Sequence, residues 1–267
     1  MKNLILQYYI PYESFDADIG GIEMPDWAKA GSENIQKYAE YCGAEYMLCH
    51  DRYYEHLDPR LDSLRMHYDK QFDEYDNVLK LDLDMLVNTN RNIFESFDQD
   101  CDVAMVHELG VHTGNPAGWL KRVMDVPIYQ RGVIAYGKHL WGKDWMFPKS
   151  TLYPKERFRY LNGGLQMWTK QGRLKAREHF TSIDNYVLHT RYTEQMYVNL
   201  QLSQPVFNVY ELDTYWDRMP YQWGSGNWPD GKINHFLARD KFNMPRLWEG
   251  MKSGKIFGDC SWCKARA

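Results

Sequence analysis

The chain has 267 residues and a net charge of −4 with a pI near 6.1, which excludes a general nucleic-acid or membrane-surface binder, because such partners select strongly basic surfaces. Its length allows one large domain or two small ones with a sizeable core. Five cysteines (Cys42, Cys49, Cys101, Cys260 and Cys263) do not make the even framework of a secreted disulfide scaffold, and the lone Cys260-x-x-Cys263 pair lacks the partners of a zinc or redox site.

Residues 4–10 read as a buried first strand closed by Pro11, an apolar run too short for a signal or an anchor. No other segment is apolar for long enough to span a bilayer, so a soluble, cytoplasmic protein is expected. Within residues 27–43, Ile35, Tyr38, Ala39 and Cys42 fall at helical spacing, and Gly43 supplies the stop. Residues 45–50 make a second strand, and this strand–helix–strand opening predicts an α/β sheet with parallel strands. Residues 61–75 read as a helix leading into the next strand.

Residues 77–87 carry the strongest strand signal. Leu79, Leu81, Leu83, Met85 and Val87 alternate on one face, which puts Asp82 and Asp84 together on the other. Two carboxylates side by side repel each other unless a cation lies between them. A hard divalent ion such as Mg²⁺ or Mn²⁺, shared with substrate phosphates, suits an all-oxygen pair. The triplet alone is not specific: the same spacing occurs at Asp16/Asp18, Asp98/Asp100 and Asp100/Asp102. Position inside the strand singles out Asp82/Asp84.

Beyond residue 87 a turn precedes a strand at 102–106, and residues 107–149 are rich in Gly, Pro and Trp with poor periodicity, a composition suited to recognition loops. Residues 161–168 form a strand entered through Gly163 and Gly164, where the backbone can approach a ligand closely. Helices follow at 170–180 and 193–202, then strands at 206–212 and 233–238. The residues after 245 read as a C-terminal tail.

The order of these landmarks resembles a known family. A parallel-sheet opening, Asp82-x-Asp84, Asn162-x-Gly164, Glu194-Gln195 at a helix start, and His235-Phe236 with Lys241 beyond are similar to the glycosyltransferases that include glycogenin and bacterial lipopolysaccharide galactosyltransferases. The departures are Glu194 for the family's Asp, Ala238 for a Gly, and no Pro-Trp after Lys241. The resemblance covers residues 1–245. It implies a single GT-A domain, a Rossmann-like mixed and mostly parallel sheet flanked by helices, that moves a sugar from a nucleotide-diphosphate donor, UDP being the leading nucleotide, to a glycan or another hydroxyl acceptor.

The resemblance also implies roles. Asp82, Asp84 and His235 would hold the metal, and an imidazole beside two carboxylates suits Mn²⁺ better than Mg²⁺. Asp82 would also touch the donor ribose. Lys241 and Arg65 would face the donor phosphates, and Tyr8, Tyr9 or Tyr12 the base. Asn162, Gly163 and Gly164 would line the donor sugar, with Glu194 and Gln195 beneath its anomeric carbon. An inverting reaction would need a general base, for which Glu194, Asp213 and Asp217 are candidates; the resemblance favours retention. Trp119, Trp216, Trp223 and Trp228 are candidates for stacking on the acceptor. Two other classes share part of this pattern, an inactive carbohydrate-binding protein and a sugar-nucleotidyltransferase. The intact acidic, His and Lys set argues against the first, and the acidic segment after the first strand, without a Gly-rich basic loop, against the second. A bacterial or viral setting is expected.

Overall fold

A computed structural model describes residues 1–10, 23–107, 137–144, 148, 151, 159–183, 193–218, 231–254 and 261–263, without the side chains of residues 193, 238 and 239. The first strand, β1 (Asn3–Tyr8), runs into α1 (Asp26–Cys42) and returns as β2 (Glu45–Cys49). Gly43 ends α1 in the left-handed region, at φ 65°, and its N–H donates back to the Glu40 carbonyl, a glycine C-cap. A segment of short turns contains α2 (Arg65–Tyr68) and leads to β3 (Asn77–Leu81) and β4 (Met85–Val87). There follow β5 (Val103–His107), β6 (Leu161–Thr169), α3 (Lys170–His179), α4 (Thr193–Gln201), β7 (Val209–Leu212), β8 (Ile233–His235) and α5 (Met244–Lys252).

Six strands make one sheet in the order β2-β1-β3-β6-β5-β7, and β4 pairs with β8 in a separate ribbon. β1 lies parallel to β2 and β3, β5 lies parallel to β7, and β6 runs antiparallel to both its neighbours. The mixed, mostly parallel α/β sheet expected from the sequence is the one observed. Alternation along the strands feeds two apolar layers. Leu4, Leu6, Val78, Met105 and Trp168 pack with Phe72, Ala176, Phe180 and Tyr197. Ile5, Leu79, Leu81, Val106 and Met167 face the other way, onto Ile35, Tyr38 and Ala39 of α1. Each such buried side chain contributes roughly 1.5–3 kcal/mol of apolar burial. A smaller core joins Ala30 of α1 and Leu86 of β4 to Phe236, Met244, Leu247, Trp248 and Met251. Part of the stretch that reads as a tail is therefore a packed helix.

Several elements differ from the sequence reading. The strand expected over 77–87 is two strands, with Asp82, Leu83 and Asp84 in the break between them. The cause is a change of partner. The Asp82 N–H still donates to the Gly164 carbonyl at 2.9 Å, but the Asp84 carbonyl accepts from the Phe236 N–H at 2.7 Å, just past β8. Gly31 lets α1 press on this turn, since a Cβ there would sit 1.9 Å from the Leu83 carbonyl oxygen. The helix expected over 61–75 is broken into 3-10 turns on either side of α2, because Asp69 is extended and its carboxylate accepts from the Gln71 N–H, restarting the chain. The strands expected at 206–212 and 233–238 are shorter, at Val209–Leu212 and Ile233–His235. Cys42, Cys49 and Cys101 are free, whereas Cys263, expected to have no redox chemistry, is disulfide-bonded. No described helix is long and apolar enough to cross a membrane.

Candidate active site

The carboxyl ends of β1 and β3 and the glycine pair of β6 meet the β4–β8 ribbon at one point, the edge where open α/β sheets place ligands. Asp82 leaves the end of β3, and Asp84 opens β4. Directly across the ribbon, His235 pairs with Met85. His235 Nε2 lies 3.2 Å from Asp84 Oδ1 and 3.9 Å from Asp82 Oδ2. One ligand atom from each of the three residues falls within 4.8 Å of the others. Two carboxylate oxygens and an imidazole nitrogen make a donor set that fits Mn²⁺, so the residues present suit the ion that the sequence implies.

The histidine is held from behind. Its Nδ1 donates to Oδ1 of Asp217 at 3.2 Å, and Asp217 is fully buried. That bond fixes the tautomer leaving Nε2 free to coordinate, as carboxylates behind metal-ligating histidines do. Burial alone would lower the His235 pKa, but Asp84 and Asp217 outweigh it and hold the ring well above its ordinary value. A chain of side-chain hydrogen bonds steadies Asp82 through its backbone. Gln7 Nε2 donates to the Asp82 carbonyl at 3.1 Å while its Oε1 accepts from the Tyr46 hydroxyl, itself bonded to Ser32 of α1.

Two groups that sequence reasoning overlooked tie the site to β6. Lys80 Nζ donates to Asp82 Oδ1 at 2.6 Å and to the Gly163 carbonyl at 2.8 Å. Gln166, opposite Lys80 in register, donates through Nε2 to the same carbonyl and to Glu194 Oε1. Both were detectable as polar residues in otherwise apolar strand runs. Lys80 also shares the parity of Asp82 and Asp84. Burial, reinforced by Asp82 and opposed by Lys80, pushes the Glu194 carboxyl above the usual carboxylate range.

The glycine pair is explained by the protein's own side chains. A Cβ on Gly164 would lie 2.6 Å from His235 Cε1, and one on Gly163 would lie 3.0 Å from both Gln195 Cβ and Glu194 Oε2. Gln195 Oε1 accepts from the Gly163 N–H at 2.8 Å, and Asn162 Oδ1 from the Gly164 N–H at 2.7 Å. Asn162, Gly163, Gly164, Glu194 and Gln195 therefore form one hydrogen-bonded group beside the acidic pair.

The remaining candidates are placed unevenly. Arg65 stands near Tyr8, anchored by Asp69 at 2.7 Å and Asp51 at 2.8 Å. Tyr9 packs with Ala28 and Leu83, under the acidic turn, and its hydroxyl donates to the Glu23 carbonyl. Lys241 is buried, its ammonium 4.5 Å from the centre of the Trp27 ring, which borders the same cluster. Asp213 is not drawn into the site: its carboxylate caps a 3-10 turn through the Tyr215 N–H and pairs with Lys232 at 2.9 Å. Of the two acids four residues apart, Asp217 is the one that reaches the histidine. Trp216 is a core residue, 2% exposed, rather than an open stacking platform. Tyr12, Trp119, Trp223, Trp228 and Cys260 lie outside the described residues.

No protein-family model matches the chain, and no curated protein matches it. Solved structures do. A glycosyltransferase involved in the glycosylation of the major capsid of PBCV-1 superposes with a TM-score of 0.53 and 14% identity, over 92% of this chain and 98% of its own. The chain has a glycosyltransferase fold. Mouse xyloside xylosyltransferase 1, in its apo form, gives the same result at a TM-score of 0.50 and 12% identity, over 90% and 99%. The GT-A architecture expected from the order of motifs is thus the architecture found.

Proposed function

We propose that the chain is a metal-dependent glycosyltransferase that moves a sugar from a nucleotide-diphosphate donor, UDP-linked, to a glycan or other hydroxyl acceptor. The observation that carries this reading is the convergence of Asp82, Asp84 and His235 from two different sheets onto one point. Mn²⁺ held there would supply Lewis-acid stabilisation of the diphosphate leaving group, an effect worth several kcal/mol.

The chain's own residues would do the rest. Asp217 would keep the His235 tautomer, and Arg65, near Tyr8, and Lys241, over Trp27, would supply cations. Tyr8 and Tyr9 would flank the base. Asn162, Gly163 and Gly164 would line the donor sugar, where the side chains of Glu194 and Gln195 lie against the glycine backbone. Glu194, with its raised pKa, would stand beside the anomeric carbon and, with Gln195, complement charge developing there. Because Asp213 is committed to its cap, Glu194 is the acid better placed to take part.

Release of free nucleotide diphosphate from a panel of UDP-, GDP- and TDP-sugars, with Mn²⁺ and with EDTA, tests the reading. One donor should turn over with metal and stop without it. Metal-independent release, or no UDP binding in the presence of Mn²⁺ by calorimetry, would refute it.

A further inference from the structure

Lys80 sits where an apolar residue would serve the fold better. Its neighbours along β3 are Leu79 and Leu81, both at 0% exposure, and its partner on β1 is Leu6, also at 0%. Burying an ammonium costs several kcal/mol unless it is paired and hydrogen-bonded. The pairing here is one-sided. The Lys80 side chain is 5% exposed, whereas that of Asp82 is 39% exposed. Water reaches the Asp82 end of the pair, so it is the lysine that is taken out of solvent. An isolated buried Lys80 would be a net cost to folding, which points to a use at the site.

The contacts show what that use is. Lys80 binds Oδ1 of Asp82, and the other oxygen, Oδ2, is the one that faces His235. The same ammonium binds the Gly163 carbonyl, which also accepts from Gln166. With its side chain so covered, the ammonium is not offered to a ligand arriving from solvent. We propose that Lys80 is a positioning residue: it reserves one oxygen of Asp82 for the protein, leaving Oδ2 as that residue's single ligand atom, and locks the metal-binding turn in register with the Gly163 backbone on which Glu194 and Gln195 rest. The assignment rests on the cation site proposed above. It goes beyond that reading by giving a charged strand residue, outside the ligand set, control over how the site is presented.

The test measures binding of Mn²⁺ alone, by electron paramagnetic resonance and calorimetry, together with donor hydrolysis, for the wild type, Lys80→Met and Asp84→Ala. Removing the lysine's charge frees Asp82 Oδ1 for the cation, so Lys80→Met should bind Mn²⁺ about tenfold more tightly, with an altered zero-field pattern. The misplaced site should turn over about 100-fold more slowly, with the donor KM within a factor of about three. Should Lys80→Met not fold, Lys80→Gln keeps two N–H donors without the charge and should move Mn²⁺ affinity and kcat in the same directions by less. Parallel loss of Mn²⁺ affinity, kcat and Tm would show an ordinary structural lysine and overturn the proposal. So would wild-type affinity and kcat in the variant. If the wild type binds no Mn²⁺, or Asp84→Ala binds it equally well, the cation site itself is wrong and the Lys80 assignment falls with it. A Lys80 variant that matches a metal-binding wild type removes only the Lys80 assignment.

Discussion

The chain spells Asp-x-Asp at residues 82–84 and again at 100–102, and the two copies lie at opposite ends of the strands of the same sheet. Asp82 leaves the carboxyl end of β3, whereas Asp102 precedes the amino end of β5, which runs parallel to β3 because each is antiparallel to β6. At the second copy the negative charge is already answered: Asp102 Oδ2 accepts from Lys175 Nζ at 2.6 Å and from the Asn208 N–H at 2.7 Å. At the first copy, Lys80 takes one oxygen of Asp82, and Asp82 Oδ2 and Asp84 Oδ1 turn toward His235. The motif is the same, and its surroundings decide whether it clips the protein together or leaves carboxylate oxygens grouped with a histidine, as the proposed cation site needs.

Breaking each copy should give different failures. Asp84→Ala is expected to reduce metal-dependent donor hydrolysis by about 10³-fold, with little change in urea stability. Asp102→Ala should leave the metal requirement intact and cost about 2 kcal/mol in the same unfolding measurement, from lost hydrogen bonds to a buried carboxylate. If both variants lose activity equally at unchanged stability, the contrast is false. Asp217→Asn sharpens the first copy alone. Removing the carboxylate behind His235 should weaken Mn²⁺ binding about 10–100-fold by calorimetry. Gly164→Ala forces a Cβ against His235 Cε1 and Met85 Cε, and overpacking of this kind costs about 1–3 kcal/mol; thermal unfolding should show that loss, with weaker Mn²⁺ binding beside it.

Acidity separates the copies further. The folded pKa of His235 is raised above its unfolded value, so its contribution to the metal-free protein is fully present below about pH 6.5. That contribution is lost as pH rises through the raised folded value. Apparent Mn²⁺ affinity should move the opposite way, increasing with pH as the cation displaces the ring proton. Calorimetry in buffers of different ionisation enthalpy reads this directly; affinity independent of pH would exclude His235 as a ligand. The smallest effect belongs to Asp213→Ala, which removes a cap worth about 1 kcal/mol and should leave donor kcat unchanged.

Much of this was legible in the sequence, and the exceptions share a cause. Short strand-like runs located β1, β2 and β6, alternation located β3, and helical spacing with Gly43 located α1. The acidic pair, the glycine pair and His235 were each singled out, and the fold brings them close together. Periodicity could not show that the strand at 77–87 changes partner at Asp82, because both halves keep the same parity through the break. It could not separate Asp213 from Asp217, since only the fold puts one behind the histidine and the other over a turn. Gly163 and Gly164 suggested closeness to a ligand, whereas what comes close is His235, Glu194 and Gln195. Lys80 carried a signal of its own, a charge between Leu79 and Leu81 in an otherwise uncharged strand.

The separate ribbon has a consequence for how such a site tolerates change. Asp82 belongs to the large sheet, while Asp84 and His235 travel with β4 and β8. The packing of the ribbon on the large sheet therefore bears on how far Asp82 stands from His235. The ribbon packs on that sheet through Met85, Val87 and Ile233, which share an apolar core with Leu79, Leu81 and Leu165 that includes none of the three clustered residues. Drift in the volume of those side chains would change the spacing of the acidic pair and the histidine without altering any of the three.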